Sequence, residues 1–555
     1  MVTMKAIIKI ILTLIITIGL SCSNFEELNS NPATSTEPDV ASLISAVELR
    51  LSGERETQWR SLGYFHMGVS QMISDGWTIS RGQVYELDFS YVEYMWKSYY
   101  QMINNIEISQ NKSAKTPGFE NYLAVGTILK VFLFSQLTDT YGDIPYFEAV
   151  KGYEGRNFFP KYDTQDSIYT DFFIQLDKAV LLLDANKQLT GDLIYQGDVT
   201  KWKKFANSLR LRLAMRLVNV NEAKAKEQAM IAVQGGLMSS YTETAYVKHG
   251  NYDISQTGMP EIRGNSFSQI LRFSEEIIFG CATYTDYLRD NNDPRLKMIF
   301  GIYGPVKGTS LTRVDSKSST ETSVDVTNEY ETKYGPLKGQ PRASFLFEDF
   351  TASGISYTTQ YVDKNGKQIQ IDKIFKCLQI RRELTKFDVS TIYLPYSEVE
   401  LWLAEAATRG WNLDAVTAES HFTKGVNANF SQLVNLIGAT APTSASVSNY
   451  ITGIWSSDAD KLKVINMQHY VCNFFNGIEG NANWRRSGYP KLKPAAHAKT
   501  DAQLNGLIPR RMPYPLTEIN YNMEHVSSHL HNGINFWGAP VWWDTDIKRG
   551  VDTTK

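Results

Sequence analysis

Apolar residues recur at spacings of three and four along residues 40–237. This periodicity gives each amphipathic helix one apolar face, and it is clearest in residues 119–138, 167–183 and 199–220. Thr200 is the predicted N-cap of the last of these helices. Because each apolar face needs a neighbour to pack against, the pattern predicts stacked helical hairpins rather than strands that alternate with helices.

The second half of the chain contains two kinds of sequence. Residues 250–390 are rich in Gly, Ser, Thr, Tyr and Pro, and residues 484–543 are irregular and aromatic, so both stretches predict loops. Helical periodicity returns in residues 397–407, 414–430 and 458–476. Helix pairs at intervals of about 35 residues suit tetratricopeptide-like stacking, although the signature residues of that repeat are not visible in the sequence.

These patterns predict a mainly α fold, in which tetratricopeptide-like stacked helical hairpins carry an irregular, loop-rich lobe. We expect a single body over residues 41–555. Its helical scaffold is predicted to cover about 41–240 and 391–480, and its loop-rich lobe about 250–390 and 484–545.

The N-terminal residues are typical of a targeting segment. Lys5 and Lys9 supply positive charge, and residues 10–20 form an uncharged apolar run that is about half as long as the ~20 residues of a membrane-spanning helix. The run ends in a sequence that resembles a bacterial lipobox, with Cys22 as the predicted site of lipid attachment. We therefore expect residues 1–21 to be a lipoprotein signal peptide, and polar residues 22–40 to be a flexible lipidated tether.

Charge and cysteine content exclude two other classes of protein. The chain has 56 basic and 59 acidic residues and no long block of like charge, so nucleic-acid binding is not expected. Apart from Cys22 the cysteines are Cys281, Cys377 and Cys472, an odd number at wide spacing. This spacing does not indicate a disulfide framework, and we expect buried free thiols.

The sequence contains no phosphate-binding glycine loop, nucleophile elbow or zinc-protease motif. The best candidate for a metal site is Glu524 and His525 with His529 and His531, because imidazoles four residues apart share a helix face. Asn and Gly surround these residues, which favours a polar surface segment. We therefore predict no metal site and no cofactor.

The best pair of carboxylates for acid–base catalysis is Glu398 and Glu405. On one helix face their backbones are separated by roughly 10 Å of helical rise, whereas a retaining glycosidase needs its carboxyl groups about 5 to 5.5 Å apart. An inverting arrangement remains geometrically open. The apolar neighbours of both residues favour helix packing, so we predict that the chain is not an enzyme.

Aromatic residues make up 12% of the chain, and many of them lie in loop-like sequence. A flat ring can pack on the C–H face of a sugar or a peptide, and nearby Asp and Arg can bind hydroxyl or amide groups. For each ring, packing in the core is the alternative. The candidate ligand-binding residues are Asp75, Trp77, Arg81, Tyr284, Tyr303 and Tyr334.

Several segments together resemble the SusD/RagB family of nutrient-binding outer-membrane lipoproteins, in particular its SusD-like branch. The resemblance spans the mature chain, and its order and spacing are more specific than any one segment. The segments are WKSYY at 96–100, LTDTYGDIPYFEAV at 137–150, NDPRL at 292–296, YLPYSEVELWLAEAATRGW at 393–411, NWRRSGYPKL at 483–492, IPRRMPYPLTEIN at 508–520 and PVWWD at 540–544.

These segments first predict structural contacts. Gly142 can adopt positive φ and end a helix, Arg485 and Arg486 can make forked bonds to carboxylates, and Trp542 with Trp543 is expected to seal a helical seam.

The resemblance also implies a location and a role. A tetratricopeptide-like scaffold with an irregular lobe would be held by lipid at the outer membrane, facing the exterior. It would capture an oligosaccharide or a peptide and deliver it to a SusC-like TonB-dependent outer-membrane receptor. Two alternatives remain: a surface glycan hydrolase, and a scaffold lipoprotein of envelope assembly that uses its stacked helices to hold other proteins.

Overall fold

A computed structural model gives the structure of most of the predicted body. The described residues are 39–52, 54–74, 78–252, 263–273, 278–301, 303–305, 323–325, 327–328, 378–495, 504 and 506–552. Among them α-helix predominates and the strands are short, so the prediction of a mainly α fold is confirmed.

The long helices fall into two blocks, one before residue 240 and one after residue 390. The first block contains α1 (Val40–Arg50), a π-helical segment (Thr57–Met67), α2 (Thr78–Gln83), α3 (Phe89–Ser113), α4 (Glu120–Tyr141), α5 (Gly152–Gly155), α6 (Gln165–Leu182), α7 (Val199–Arg216) and α8 (Glu222–Gly235). Between the blocks lie α9 (Ser266–Phe273), α10 (Ala282–Asp290) and α11 (Arg295–Ile299). The second block contains α12 (Tyr396–Thr408), α13 (Ala418–Gln432), a π-helical segment (Leu433–Ile437), α14 (Ser444–Ser456), α15 (Lys461–Cys472), α16 (Gly477–Ser487), α17 (Leu516–Tyr521) and α18 (Met523–Val526).

Helices that are close in sequence pack against each other in pairs. α3 packs on α4, α4 on α6, α7 on α8, and α12 on both α13 and α15. This is the predicted stack of helical hairpins. The periodicity was sufficient to predict it because each helix needs a partner for its apolar face.

The strongest sequence pattern produces α4. The helix extends three residues beyond the predicted end at residue 138 and stops at Gly142, whose φ of +85° is easily adopted only by glycine. The amide of Gly142 donates to the carbonyl of Thr138 at 2.8 Å and so closes the last turn. The predicted role of Gly142 as a helix terminator is therefore confirmed.

Short acidic side chains cap the helices. Asp88 accepts a hydrogen bond from Ser90 N at the start of α3 (3.0 Å), and Asp198 accepts from the amides of Thr200 and Lys201 at the start of α7 (3.0 and 3.1 Å). The prediction that Thr200 caps α7 was wrong by two residues. A carboxylate at position 198 satisfies two free amide groups at once, which a threonine at position 200 cannot do.

Some predicted boundaries in the second block were also wrong. α13 begins at Ala418 rather than residue 414, because Thr417 caps it through a hydrogen bond from Ser420 N at 3.2 Å. The predicted helix 458–476 is shorter in the structure, where α15 covers Lys461–Cys472, and a separate helix, α16, begins at Gly477 and extends into sequence that was predicted to be irregular. The second helix starts at Gly477, where a Cβ atom would lie only 2.3 Å from Met67 Cγ. Glycine at position 477 therefore lets the start of α16 pack closely on the π-helical segment.

The lobe between the two blocks contains a small sheet. Its strands are β1 (Ile73–Ser74), β3 (Phe279–Gly280), β7 (Gln379–Ile380) and β4 (Phe300–Gly301), paired antiparallel in the order β1-β3-β7-β4. Two further antiparallel pairs are β2 (Ala245–Val247) with β8 (Thr391–Leu394), and β5 (Tyr303–Pro305) with β6 (Ser323–Asp325). Elements this short agree with the predicted loop-rich character wherever residues 250–390 are described.

Two hydrophobic clusters form the core, and α12 contributes to both. Val399 and Trp402 pack with the first block of helices and the C-terminal segment, whereas Leu401 and Ala404 pack with the small sheet and the second block. All residues from Tyr396 to Ala406 are buried. A helix that is covered on every side joins the scaffold to the lobe.

A network of charged groups crosses the first cluster around Asp139. Arg216 Nε donates to Asp139 at 3.1 Å and also pairs with Glu479, while Trp543 Nε1 and the Tyr169 hydroxyl donate to Asp139 Oδ1 at 2.7 and 2.6 Å. The five side chains come from α4, α6, α7, α16 and the C-terminal segment. Trp543 is fully buried there, so its predicted sealing role is confirmed.

Adjacent arginines on α16 have different partners. Arg486 makes the predicted forked bonds, at 2.7 and 2.6 Å, to Glu405. Arg485 instead donates to the backbone carbonyls of Asp139 and Arg510, so the prediction of a carboxylate partner was wrong for it. Burial lowers the pKa of Arg485 to about 10.

The described cysteines are free thiols. Cys281 is buried and Cys472 is half-buried, and burial raises the pKa of the Cys472 thiol to about 11. Cys377 lies outside the described residues. Within the described ranges, none of the helices is both long enough and apolar enough to span a membrane.

Candidate functional site

The predicted ligand-binding segment follows β1 and precedes α2. Asp75 and Trp77 themselves lie outside the described residues. The residues before and after them are joined by two hydrogen bonds. Ser74 Oγ donates to Gln83 Oε1 at 2.8 Å, and Gln83 Nε2 donates to the carbonyl of Ile73 at 3.0 Å. The buried side chain of Gln83 therefore joins the end of β1 to the end of α2.

Arg81 on α2 is held by two carboxylates. Its guanidinium contacts Glu86 at 2.8 Å and Asp88 at 3.1 Å, and its Cζ lies 5.3 Å from the centre of the Tyr91 ring. Burial alone would lower the pKa of Arg81, but the hydrogen bond and charge of Glu86 raise it above its ordinary value. The side chain remains 20% exposed. Arg81 is thus held in a fixed position near the surface, and Glu86 and Asp88 compensate its charge.

Arg81 belongs to a larger group of rings and guanidinium groups. Arg60 also contacts the Tyr91 ring, with 5.6 Å from its Cζ to the ring centre. The same Cζ lies 5.6 Å from the centre of the Tyr94 ring and 5.8 Å from that of Trp59. Arg60 Nη1 donates to the Tyr94 hydroxyl at 3.1 Å. We call Trp59, Arg60, Arg81, Tyr91 and Tyr94 the aromatic–guanidinium cluster.

The aromatic–guanidinium cluster has the chemistry of a binding surface. The half-buried rings of Trp59 and Tyr94 offer apolar faces and edges, whereas Tyr91 is buried, and the guanidinium groups carry several hydrogen-bond donors in fixed directions. Sequence reasoning found only Arg81. The sequence feature that could have predicted the cluster is the three-residue spacing of Tyr91 and Tyr94. This spacing places the two rings next to each other on one face of α3.

Tyr284 is located elsewhere. It is fully buried on α10, its hydroxyl donates to the carbonyl of Val471 at 2.9 Å, and its ring packs against Phe474 with 4.8 Å between the ring centres. Burial raises the pKa of Tyr284 well above its ordinary value. A ligand at the surface cannot contact this side chain, so Tyr284 acts in the core and was misplaced by sequence reasoning.

The remaining candidates are described only in part. The backbone of Tyr303 lies in β5, and Tyr334 is outside the described residues. In the sheet, Ser74 of β1 and Gly301 of β4 lie in the same cross-strand row, but the two strands run in opposite directions. The chain therefore leaves β1 towards Asp75 and leaves β4 towards Tyr303 at opposite ends of the sheet.

The two carboxylates that could have served a hydrolase are both in buried ion pairs. Glu398 receives hydrogen bonds from Arg212 at 2.6 and 3.0 Å and from Trp402 Nε1 at 3.0 Å, and Glu405 is held by Arg486. Burial raises the pKa of Glu398 despite the opposing charge of Arg212. The structural interpretation of both residues is confirmed.

The histidine-rich segment near the C-terminus has a different arrangement from a metal centre. His529 Nδ1 lies 2.8 Å from Asp143 Oδ2, and its ring stacks on Tyr162 at 5.4 Å between centres. Within the described part of the chain, His, Cys, Asp and Glu side chains form no group of three that could hold a metal ion. His525 and His531 therefore join no such group with it.

The fold defines a class: a mainly α scaffold of stacked helical hairpins that carries a loop-rich lobe. The comparison with known families is more specific. The SusD-like family described as "Starch-binding associating with outer membrane" matches residues 32–515. The chain belongs to this SusD-like family.

Solved structures agree with this assignment. A chitin-binding protein is 29% identical, with a TM-score of 0.72 over 92% of this chain and 100% of the other. A SusD-like protein titled "Bacteroidetes AC2a SusD-like" is 25% identical, with a TM-score of 0.76 over 92% and 100%. A SusD homolog from Bacteroides uniformis, at 23% identity and a TM-score of 0.67 over 91% and 99%, supports the fold alone. Among curated proteins no significant match was found.

Proposed function

We propose that this chain is a lipoprotein of the outer membrane that binds a glycan at the cell exterior and delivers it to a SusC-like TonB-dependent receptor. Membership of a family described as starch-binding and associated with the outer membrane is the observation that carries the proposal. Binding and transfer, rather than bond cleavage, is the role. The candidate catalytic carboxylates Glu398 and Glu405 are engaged in ion pairs inside the core, which supports this part of the proposal.

The proposed ligand contacts are Asp75, Trp77 and Arg81, next to the aromatic–guanidinium cluster. The hydrogen bonds that join Gln83 of α2 to Ile73 and Ser74 of β1 support a site here, because fixed flanks reduce the entropy that a binding loop loses when a ligand orders it. Tyr303 and Tyr334 stay in the proposal as contacts from the lobe. Tyr284 is left out because it is buried.

Among glycans, chitin oligosaccharides are the first ligand class to test. The 29% identical neighbour is titled a chitin-binding protein, and the alignment covers all of it. N-acetyl groups would accept hydrogen bonds from guanidinium donors, and sugar rings would pack on indole and phenol faces. Starch oligosaccharides are the second class, from the description of the family.

The anchor in this proposal is lipid on Cys22, after removal of residues 1–21. Residues 22–38 then act as a tether between the membrane and α1, because Asp39 and Val40 already belong to the start of this helix. Acyl chains on Cys22 would insert into the outer membrane and hold the folded body at its surface. The body would then be able to cover the opening of the SusC-like barrel.

Two measurements test the proposal. Purified protein should bind a chitin or starch oligosaccharide in calorimetry without releasing reducing ends, and detergent extraction of native membranes should co-purify a TonB-dependent barrel. Turnover of the glycan would favour the hydrolase alternative. Recovery of envelope assembly factors in place of the barrel would favour the scaffold alternative.

A further inference from the structure

Arg511 differs from every other deeply buried arginine that the structure describes. Eight described arginines are 5% exposed or less. Seven of them donate side-chain hydrogen bonds to protein acceptors, namely Arg210, Arg212, Arg216, Arg295, Arg485, Arg486 and Arg510. Arg511 donates to no carbonyl or carboxylate of the described residues, and its Nε and Nη2 are buried without a hydrogen-bond partner, as the same two atoms of Arg485 also are. A guanidinium is costly to bury without a counter-ion, so this position calls for an anion.

Arg511 lines an open pocket of about 360 Å³ between the C-terminal end of α4 and the N-terminal end of α6. Gly142 and Gln165 contribute to its walls from these two helix ends, and His529, His531 and Trp542 contribute from the C-terminal segment. The volume is within the range of small-molecule sites, from about 300 to 1,000 Å³.

Gly142 leaves space for the guanidinium at the pocket wall. A Cβ atom at this position would lie 3.2 Å from Arg511 Nη1, so any other residue would crowd this nitrogen. On its other side the guanidinium lies over the ring of Tyr514, with 4.5 Å from Cζ to the ring centre. Arg511 is therefore held in one orientation by a ring, without being neutralised.

A second unpartnered polar atom is present in the same wall. Gln165 is fully buried, and its Nε2 donates to the carbonyl of Thr138 at 2.8 Å, but its Oε1 has no hydrogen-bond partner. The pocket wall thus contains a hydrogen-bond acceptor, Gln165 Oε1, and two donors, Nε and Nη2 of Arg511, that have no partner in the protein. A ligand with one anionic group and hydroxyl groups could satisfy both.

The other charged groups at the pocket are already engaged or exposed. Asp143 accepts a hydrogen bond from the amide of Gln165 at 2.8 Å through Oδ1 and contacts His529 at 2.8 Å through Oδ2. Asp166 is exposed at the rim. The N-terminus of α6, an 18-residue helix, also opens here and adds partial positive charge. The side of the pocket formed by Arg511 therefore favours an anion.

We propose that this pocket binds the carboxylate of a small polyhydroxy acid, such as a hexuronic acid, with Arg511 as the counter-ion. The planar guanidinium matches the geometry of a carboxylate. The half-buried indole of Trp542 provides a flat face for a sugar ring, and Gln165 Oε1 accepts from a hydroxyl group. The aromatic–guanidinium cluster contributes nothing to this pocket, so the proposal does not depend on the proposed function.

The test is calorimetric titration of the purified full chain with D-galacturonate and with D-galactose, which differs by lacking the carboxylate. Galacturonate should bind at least about tenfold more tightly than galactose, and Arg511→Met should remove that difference. Arg55→Met, which removes a charge from a side chain that is 40% exposed and does not line this pocket, should retain it. Equal binding of both sugars, or unchanged galacturonate binding by Arg511→Met, would overturn the proposal.

A measurement on the unmodified protein guards against misfolding of the variant. In crystals soaked with galacturonate, density with the carboxylate at hydrogen-bond distance from Arg511 supports the proposal. Galacturonate bound only elsewhere, or absent from the pocket at a saturating concentration, contradicts it. Trp542→Ala provides a second variant, which should weaken binding of the sugar acid and leave Arg511 in place.

Discussion

Arg486 donates hydrogen bonds from Nη1 and Nη2 to the two carboxylate oxygens of Glu405, and neither side chain is exposed. Burial alone would raise the pKa of Glu405, but the charge and hydrogen bonds of Arg486 hold it well below its ordinary range. A carboxylate that stays ionised cannot give a proton to a leaving group near neutral pH. Glu405 therefore joins α12 to α16 and is unsuited to act as a general acid.

We expect Glu405→Gln to lower the free energy of unfolding by about 3 to 5 kcal/mol, because it leaves the buried charge of Arg486 without its partner. Urea unfolding measures this change. Glu419→Gln, at an exposed position of α13, is the matched control and should change stability by less than about 0.5 kcal/mol. A variant as stable as the parent, or one that abolishes a measured glycan hydrolysis, would contradict this role for Glu405.

Three histidines are buried in uncharged form. Burial lowers the pKa of His249 to about 4 and that of His469 to about 3, where the charge of Arg486 adds to the effect. Burial and the charge of Arg485 also lower the pKa of His66 well below its ordinary value. All three folded-state values lie below the unfolded value of about 6.5.

The protein should therefore lose stability as the pH falls from about 6.5 towards 4, since the unfolded imidazoles bind protons in this window and the folded ones do not. His249 and His469 each contribute about 2 kcal/mol of this loss at pH 5. Urea unfolding at pH 7 and pH 5 measures the total. His249→Gln should reduce the difference in unfolding free energy between pH 7 and pH 5 by the contribution of His249. His531→Gln, at an exposed position, should leave this difference unchanged. Equal differences in the two variants would show that burial of His249 does not act in this way.

The sequence was enough to predict the helical scaffold because helical periodicity is local. Residues 123–137 carry the spacing of α4 by themselves, and Gly142 carries its end. The partner of Glu405 could not be predicted in this way. Arg486 lies 81 residues further along the chain, and only packing of α12 near α16 brings the two side chains together.

The candidate site was predictable only in part, for the same reason. Tyr284 lies in sequence that is typical of loops, yet the fold buries its ring in the core and brings its hydroxyl to the carbonyl of Val471, 187 residues away. Arg510 and Arg511 are neighbours of one residue type, but only Arg510 has a carboxylate partner, Asp544. The two arginines differ because the fold brings different groups to each of them. The sequence pattern around the arginines does not show which groups these are.

At the proposed glycan site we expect Trp77→Ala to weaken oligosaccharide binding by about 1 to 3 kcal/mol, as loss of a stacking ring does. Calorimetry with an oligosaccharide that the unmodified protein binds is the measurement. Tyr284→Phe is the control: it removes a hydrogen bond in the core and should leave affinity unchanged. Full affinity in a folded Trp77→Ala protein would remove Trp77 from the site.

Cys22→Ala should release the protein from membranes, because the acyl chains provide the anchor at about 0.8 kcal/mol per buried methylene. Fractionation of cells into soluble and membrane parts, with mass spectrometry of the mature N-terminus, measures both the location and the lipid. Cys281→Ala is the matched control, since this buried thiol lies in the folded body and should not affect location. The seventeen residue steps from Cys22 to Asp39, the cap of α1, span at most about 60 Å when extended, so a lipid on Cys22 keeps Asp39 within that distance of the bilayer. Membrane retention of Cys22→Ala without lipid would mean that another part of the chain, or a tightly bound partner, holds the body there.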